Sequence, residues 1–146
     1  QKQWVRVRDN GETITITFKR IIHALSIDGT QELEFSVEDF EKACEFLTLC
    51  GLLPVSYQEN FRESWVYKDS LITIDTWPGL SPFLEIESKD ENLVQMVAQD
   101  LGFDWQNAYF GSIDVLYEQL LGIPAQDINQ MDQLTFDTID IVLKKY

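Results

Sequence analysis

Five short stretches of this chain alternate apolar with polar residues, and the polar faces carry charges of both signs. They are Trp4-Val5-Arg6-Val7-Arg8, Thr13 to Lys19, Glu32-Leu33-Glu34-Phe35, Leu71 to Asp75 and Phe83-Leu84-Glu85-Ile86-Glu87. On a β-strand successive side chains point to opposite faces. Arg6 and Arg8 therefore project together, as do Glu32 with Glu34 and Glu85 with Glu87. If these faces line one cavity, they make a site for a polyanion together with a divalent metal.

The chain has 146 residues, enough for a single domain with a real core. Apolar residues make up 45% and charged residues 25%, as in ordinary globular proteins. No apolar run approaches the ~20 residues that span a bilayer. No signal-peptide pattern or basic tail is read. With 25 acids against 11 bases the formal charge is −14. That balance argues against non-specific binding to nucleic acid or anionic membranes. It leaves room for a small anion held by a local cluster of Arg and Lys. Cys44 and Cys50 fall on different sides of one expected helix and lack metal-ligand spacing. They fit free thiols in a reducing cytoplasm.

A hairpin is expected first: Gln3–Arg8, a turn at Asp9-Asn10-Gly11, and a return over Glu12–Lys19. Segment 20–30 reads as strand plus loop, with a turn at Asp28-Gly29. Gln31–Val37 is a third strand. Period 3.6 then takes over in Glu38–Cys50, with Gly51 placed to end the helix. Pro54–Gln58 and Phe61–Lys68 read as a further pair of strands, followed by Leu71–Trp77. Pro78-Gly79-Leu80-Ser81-Pro82 is a rigid bend before Phe83–Ser88. Asp90–Leu101 is a second helix, stopped at Gly102. Ser112–Leu121 reads as a helix capped by Ser112, and short pieces follow at Asp127–Met131 and Phe136–Leu143. The expected class is α+β: one domain over 1–146, with 1–88 mainly antiparallel sheet plus one helix and 89–146 mainly helical. No internal repeat is evident.

The ordinary reading of such faces is that the charged side is solvated. Three features weigh against it. Arg dominates the first strand, and Arg suits bidentate phosphate contacts. Acidic pairs at i, i+2 place hard oxygen donors side by side, as Mg²⁺ or Mn²⁺ requires. Trp4, Trp65 and Trp77 stand among the charges. His23 is the single histidine, so no His-based metal site or Ser-His-Asp triad is supported. Tyr109, Phe110, Leu116 and Tyr117 read as core, with a dimer face as the lesser possibility.

The stretches WVRVRD, ITITFKR, QELEFSVEDFEKA, YQENFRESW, IDTWPGLSPFLEIES and DWQNAYFGSIDVLY, in this order, resemble the CYTH superfamily. These are the triphosphate tunnel metalloenzymes, which include class IV adenylate cyclases and thiamine or inorganic triphosphatases. The stretch around Pro78 to Glu87 is most similar to the class IV cyclase-like branch. The resemblance implies a closed antiparallel barrel with a charged lumen, helices outside and a small helical appendix. It implies that Arg6, Arg8, Lys19 and Arg62 grip phosphates. Glu85 and Glu87 would hold Mg²⁺ or Mn²⁺, and Glu32, Glu34 and Asp75 would be lumen acids that orient or deprotonate the attacking group.

Two departures from the family pattern stand out. The opening strand of relatives carries Glu-x-Glu-x-Lys, whereas this chain begins at Gln1-Lys2-Gln3-Trp4, past that strand. Relatives often place a Lys before the Arg of the fourth motif, where Asn60 and Phe61 stand here. The expected partner is a triphosphate-containing small molecule, with no nucleic acid and no membrane. The expected protein is a cytoplasmic monomer or homodimer that hydrolyses or cyclises its ligand. The alternative is a module that binds nucleotide or polyphosphate without catalysis.

Overall fold

The turn at Asp9-Asn10-Gly11 shows how local chemistry sets the first sheet. Asp9 Oδ1 accepts from Gly11 N at 2.8 Å, and Asn10 Oδ1 accepts from Thr13 N at 2.7 Å. Gly11 takes φ +84°, a conformation that glycine reaches without a Cβ penalty. The flanking strands β1 (Gln3–Asp9) and β2 (Ile14–Ile21) pair antiparallel, with Arg6 opposite Thr17. The third strand, β3 (Thr30–Val37), pairs with β2, with Thr17 opposite Glu34. The computed structural model describes residues 3–22 and 30–146. The expected Asp28-Gly29 turn and His23 lie outside the described residues.

The chain divides into two compact units, Gln1–Pro54 and Val55–Tyr146. The first is completed by α1 (Phe40–Leu49). Asp39 caps it, its side chain accepting from Lys42 N, and Gly51 at φ +88° follows the end. Ile16 on the sheet and Ala43 on the helix are buried. Leu33 and Phe35 share the Ile16 face but remain largely exposed.

The second unit opens with β4 (Tyr57–Gln58), then β5 (Phe61–Tyr67), β6 (Ser70–Thr76) and β7 (Phe83–Glu87). The last three form an antiparallel sheet in sequence order. Lys68 and Asp69 both have positive φ, +48° and +57°, as a two-residue type I′ hairpin turn demands. Helix α2 (Glu91–Asp100) follows, capped by Asp90 and followed by Gly102 at φ +85°. Its Val97 and Ala98 are buried.

Both units thus contain a run of strand, strand, strand, helix, preceded in the second by the short β4, although the sequence shows no evident repeat. The correspondence is in register. Asp39 to Gly51 and Asp90 to Gly102 span equal lengths and end alike: Leu52 N donates to Leu47 O at 2.9 Å, and Phe103 N to Ala98 O at 2.9 Å. Counting back from the caps, Leu33-Glu34-Phe35 matches Leu84-Glu85-Ile86. Across the central strands, Thr17 opposite Glu34 matches Thr73 opposite Glu85.

The tail adds a 3₁₀ turn (Trp105–Asn107), α3 (Ile113–Leu121), α4 (Ala125–Asn129), β8 (Gln133–Leu134) and α5 (Ile139–Leu143). Tyr117, Ile123, Ile128, Leu134, Ile139, Val142 and Leu80 form its core, with Trp77 and Phe83 packed against them. The expected pairing of Pro54–Gln58 with the next strand is not seen. Only Tyr57 and Gln58 are strand, and they pair parallel with β8. Proline at position 54 has no N–H for a ladder, and the partner lies far along the chain. Ser112 occupies the N-cap of α3, but its hydroxyl bonds Asp114 rather than the backbone. Tyr109 and Phe110 are exposed, not core, while Tyr117 is fully buried.

The bend at Trp77-Pro78-Gly79-Leu80 is a turn closed by Leu80 N to Trp77 O at 3.1 Å. Tyr117 donates its hydroxyl to Pro78 O at 2.5 Å, and burial raises the phenol pKa. This bond ties the helical tail to the bend that leads into β7. Tyr117→Phe is expected to lose about 1–2 kcal/mol of stability. The urea midpoint should fall at unchanged m-value.

The strands fall into three sheets, and no closed barrel is detected among the described residues. Cys44 and Cys50 are free thiols. Among the described residues no helix is long and apolar enough to cross a membrane.

Candidate functional site

Strand alternation and register together place the charges. In the first unit one face carries three cross-strand rows: Trp4–Lys19–Glu32, Arg6–Thr17–Glu34 and Arg8–Thr15–Ser36. Lys19 Nζ lies 3.0 Å from Glu32 Oε2. Thr17, fully buried, donates to Glu34 Oε2 at 2.5 Å. Arg6 Nε is buried and has no hydrogen-bond partner among the described residues. A buried guanidinium N–H without an acceptor costs free energy, and a site that binds anions supplies the acceptor on loading. The five residues expected on this face, Arg6, Arg8, Lys19, Glu32 and Glu34, are all there.

In the second unit the corresponding face carries Arg62–Asp75–Phe83, Ser64–Thr73–Glu85 and Val66–Leu71–Glu87. Arg62 reaches across the sheet. Its Nε donates to Asp75 Oδ1 at 2.7 Å, and its Nη2 donates to Asp75 Oδ2 and, at 2.9 Å, to Glu85 Oε2. Asp75 is fully buried. The hydrogen bond to Asp75 raises the Arg62 pKa further above its ordinary value. Burial, and then the neighbouring Asp75 carboxylate, push Glu85 above the usual carboxylate value, against the pull of Arg62. Arg62, Asp75, Glu85 and Glu87 therefore form one cluster with more negative than positive charge.

The tryptophans are distributed differently from expectation. Trp4 shares the charged face of its sheet. Trp65 points to the other face of β5, in register with Ile72 and Ile86, and donates Nε1 to Glu63 Oε1 at 3.0 Å. Trp77 packs on the tail core. Sequence reading also passed over Thr17 and Thr73 as site residues. Their signal was present, since alternation puts both on the charged faces, but a threonine in a strand is ordinary.

The tail positions Arg62 indirectly. Glu59 N donates to Leu134 O at 3.1 Å, Glu59 Oε1 accepts from Phe136 N at 2.7 Å, and Phe61 stacks on Phe136 at 4.9 Å. These contacts fix the entry into β5 next to Arg62.

Among the described residues there is no group of three or more His, Cys, Asp or Glu arranged to hold a metal. The pair Glu85 and Glu87 still fits Mg²⁺ or Mn²⁺. Magnesium is commonly held by one or two carboxylates plus substrate phosphates rather than by an all-protein cage. The donor set here is two carboxylates on one face of β7, of which Glu85 is paired with Arg62.

Residues 1–109 match the CYTH domain model. A conserved hypothetical protein from Pyrococcus furiosus has a similar structure, with TM-score 0.60 and 23% identity over 73% of this chain and 70% of that one. A protein from Pyrococcus horikoshii OT3 is similar at TM-score 0.60 and 24% identity, over 73% and 70% of the two chains. At such identities the likeness is one of fold. No match was found among curated proteins. The domain match runs through both charged strand triplets and both Asp-capped helices, and the chain belongs to the CYTH family.

Proposed function

We propose that this chain binds a triphosphate, such as ATP, inorganic tripolyphosphate or an organic triphosphate, and hydrolyses or cyclises it with a divalent metal. The CYTH family is a triphosphate-binding tunnel family whose members are generally metal-dependent. The observation that carries the reading is Arg6, with a buried, unpartnered Nε on the same strand face as Arg8 and Lys19.

In this reading Arg6, Arg8 and Lys19 on the first sheet bind phosphate oxygens through charge-assisted hydrogen bonds, and Arg62 on the second sheet is a phosphate contact of its own. Mg²⁺ or Mn²⁺ held by Glu85 and Glu87 would supply charge neutralisation to phosphate oxygens bound at Arg62. Phosphoryl transfer needs positioning and neutralisation more than covalent help. Glu34 Oε2 is fixed by Thr17, which orients this exposed carboxylate on its strand face. A carboxylate oriented in this way is suited to positioning a water or hydroxyl. Asp75, locked under Arg62, holds that guanidinium in place. Glu32 sets the position of Lys19.

Arg6→Ala is expected to weaken tripolyphosphate binding about 10- to 100-fold at low salt, the loss of one charge-assisted contact. Isothermal titration checks this. The reaction itself is tested by incubating the protein with Mn²⁺ and ATP or tripolyphosphate and identifying products. Cyclic AMP with pyrophosphate supports the cyclase form, and inorganic phosphate the triphosphatase form. Binding with no product supports the non-catalytic module. One observation favours that second reading: Glu85, a proposed metal ligand, is held by Arg62. No binding and no product would overturn both.

A further inference from the structure

Thr73 is 3% exposed, and its Oγ1 has no hydrogen-bond partner among the described residues. It lies at the centre of the second sheet, between Ser64 and Glu85, on the same face as Asp75. Directly opposed residues on antiparallel strands stand within side-chain reach. A buried hydroxyl without a partner is unfavourable and calls for a reason.

The first unit shows what the same arrangement does when it is satisfied. Thr17, on the central strand, stands opposite Glu34 as Thr73 stands opposite Glu85. There the threonine donates to the carboxylate at 2.5 Å. The difference between the units is the third party. In the second unit Arg62 Nη2 takes Glu85 Oε2 at 2.9 Å. Arg62 is itself anchored to Asp75 through Nε at 2.7 Å and through Nη2, so its contact with Glu85 can be exchanged while the anchor is kept.

We propose that Thr73 is a positioning residue for Glu85, and that Glu85 has two alternative partners. Without ligand, Glu85 is held by Arg62. When a triphosphate engages the Arg62 guanidinium, Glu85 is released and accepts from Thr73 Oγ1, in the geometry that Thr17 and Glu34 already show. The exchange turns Glu85 away from the arginine and sets it as an oriented oxygen donor beside Glu87. This rests on the triphosphate reading above and adds an ordered change of partners within it.

The test is tripolyphosphate titration of the wild-type chain, Thr73→Val and Thr73→Ser in Mg²⁺ buffer, with a thermal melt of each free protein. Thr73→Val is expected to weaken binding about tenfold, the equivalent of one hydrogen bond, and Thr73→Ser to restore it to within about twofold. The free Thr73→Val protein should melt no lower than wild type, since it loses only an unpaired hydroxyl. Thr17→Val, which removes a made bond, should melt lower. Equal affinity of Thr73→Val and wild type overturns the proposal, as does a loss that serine does not rescue. A wild type that binds no tripolyphosphate overturns the functional reading, and this inference with it. Should Thr73→Val fail to fold, a crystal structure of the wild type with tripolyphosphate and Mg²⁺ decides. Glu85 within hydrogen-bond distance of Thr73 Oγ1 supports the exchange, and a retained Arg62–Glu85 pair overturns it.

Discussion

Arg62→Ala is expected to cost the fold about 3 kcal/mol or more, because it strands a buried carboxylate. Asp75 is fully buried, and its two oxygens are met by Arg62 Nε and Nη2. Removing the guanidinium leaves the charge with neither water nor counter-ion. Asp75→Asn should cost less, because Arg62 keeps Glu85 and remains partly in contact with solvent. Urea unfolding of both variants at neutral pH measures the two losses. A loss below about 1 kcal/mol at neutral pH would mean that Asp75 is solvated and that Arg62 is not its anchor.

The second large effect is functional, with the opposite sign for stability. Glu85→Gln is expected to lower metal-dependent turnover by about 10- to 100-fold and to raise the melting temperature at neutral pH. Burial and the Asp75 charge raise the Glu85 pKa above its ordinary 4.5. The native state therefore holds that proton more tightly than the unfolded chain, and the charged side chain works against folding at neutral pH. The penalty is absent below the unfolded value and grows as pH rises through the native one. The melting advantage of Glu85→Gln should accordingly vanish in acid. Differential scanning calorimetry across that range, beside an activity assay, checks both halves. A variant that is less stable than wild type at neutral pH would show that the Arg62 bond outweighs the crowding.

Much of the site could be read before any coordinates. Strict alternation fixed the faces of Arg6, Arg8, Lys19, Glu32, Glu34, Asp75, Glu85 and Glu87, because a strand permits only two directions. Gly51 and Gly102 marked where both helices end, whereas the Asp39 cap lies one residue inside the expected start at Glu38. What escaped was non-local. The parallel pairing of Tyr57 with Gln133 carries no signal in either segment alone. Trp65 looked like part of the charged face, yet one position of register puts it with Ile72. The repeated strand-strand-strand-helix order was hidden because equivalent positions differ in charge: Lys19 stands where Asp75 does, and Arg6 where Ser64 does. Only the paired register of Thr17 with Glu34 and Thr73 with Glu85 exposes it. The partner choice of Glu85 depends on how far Arg62 reaches across three strands, which no local pattern encodes.

Direct titration of tripolyphosphate into the purified chain, with orthophosphate as the comparison ligand at equal ionic strength, tests the central claim. Saturable binding of tripolyphosphate, much tighter than that of orthophosphate and weakened by Arg6→Ala and Arg62→Lys, is the expected result. Heats no larger than those of orthophosphate, or affinity untouched by either substitution, would contradict the assignment of these charged faces to a triphosphate.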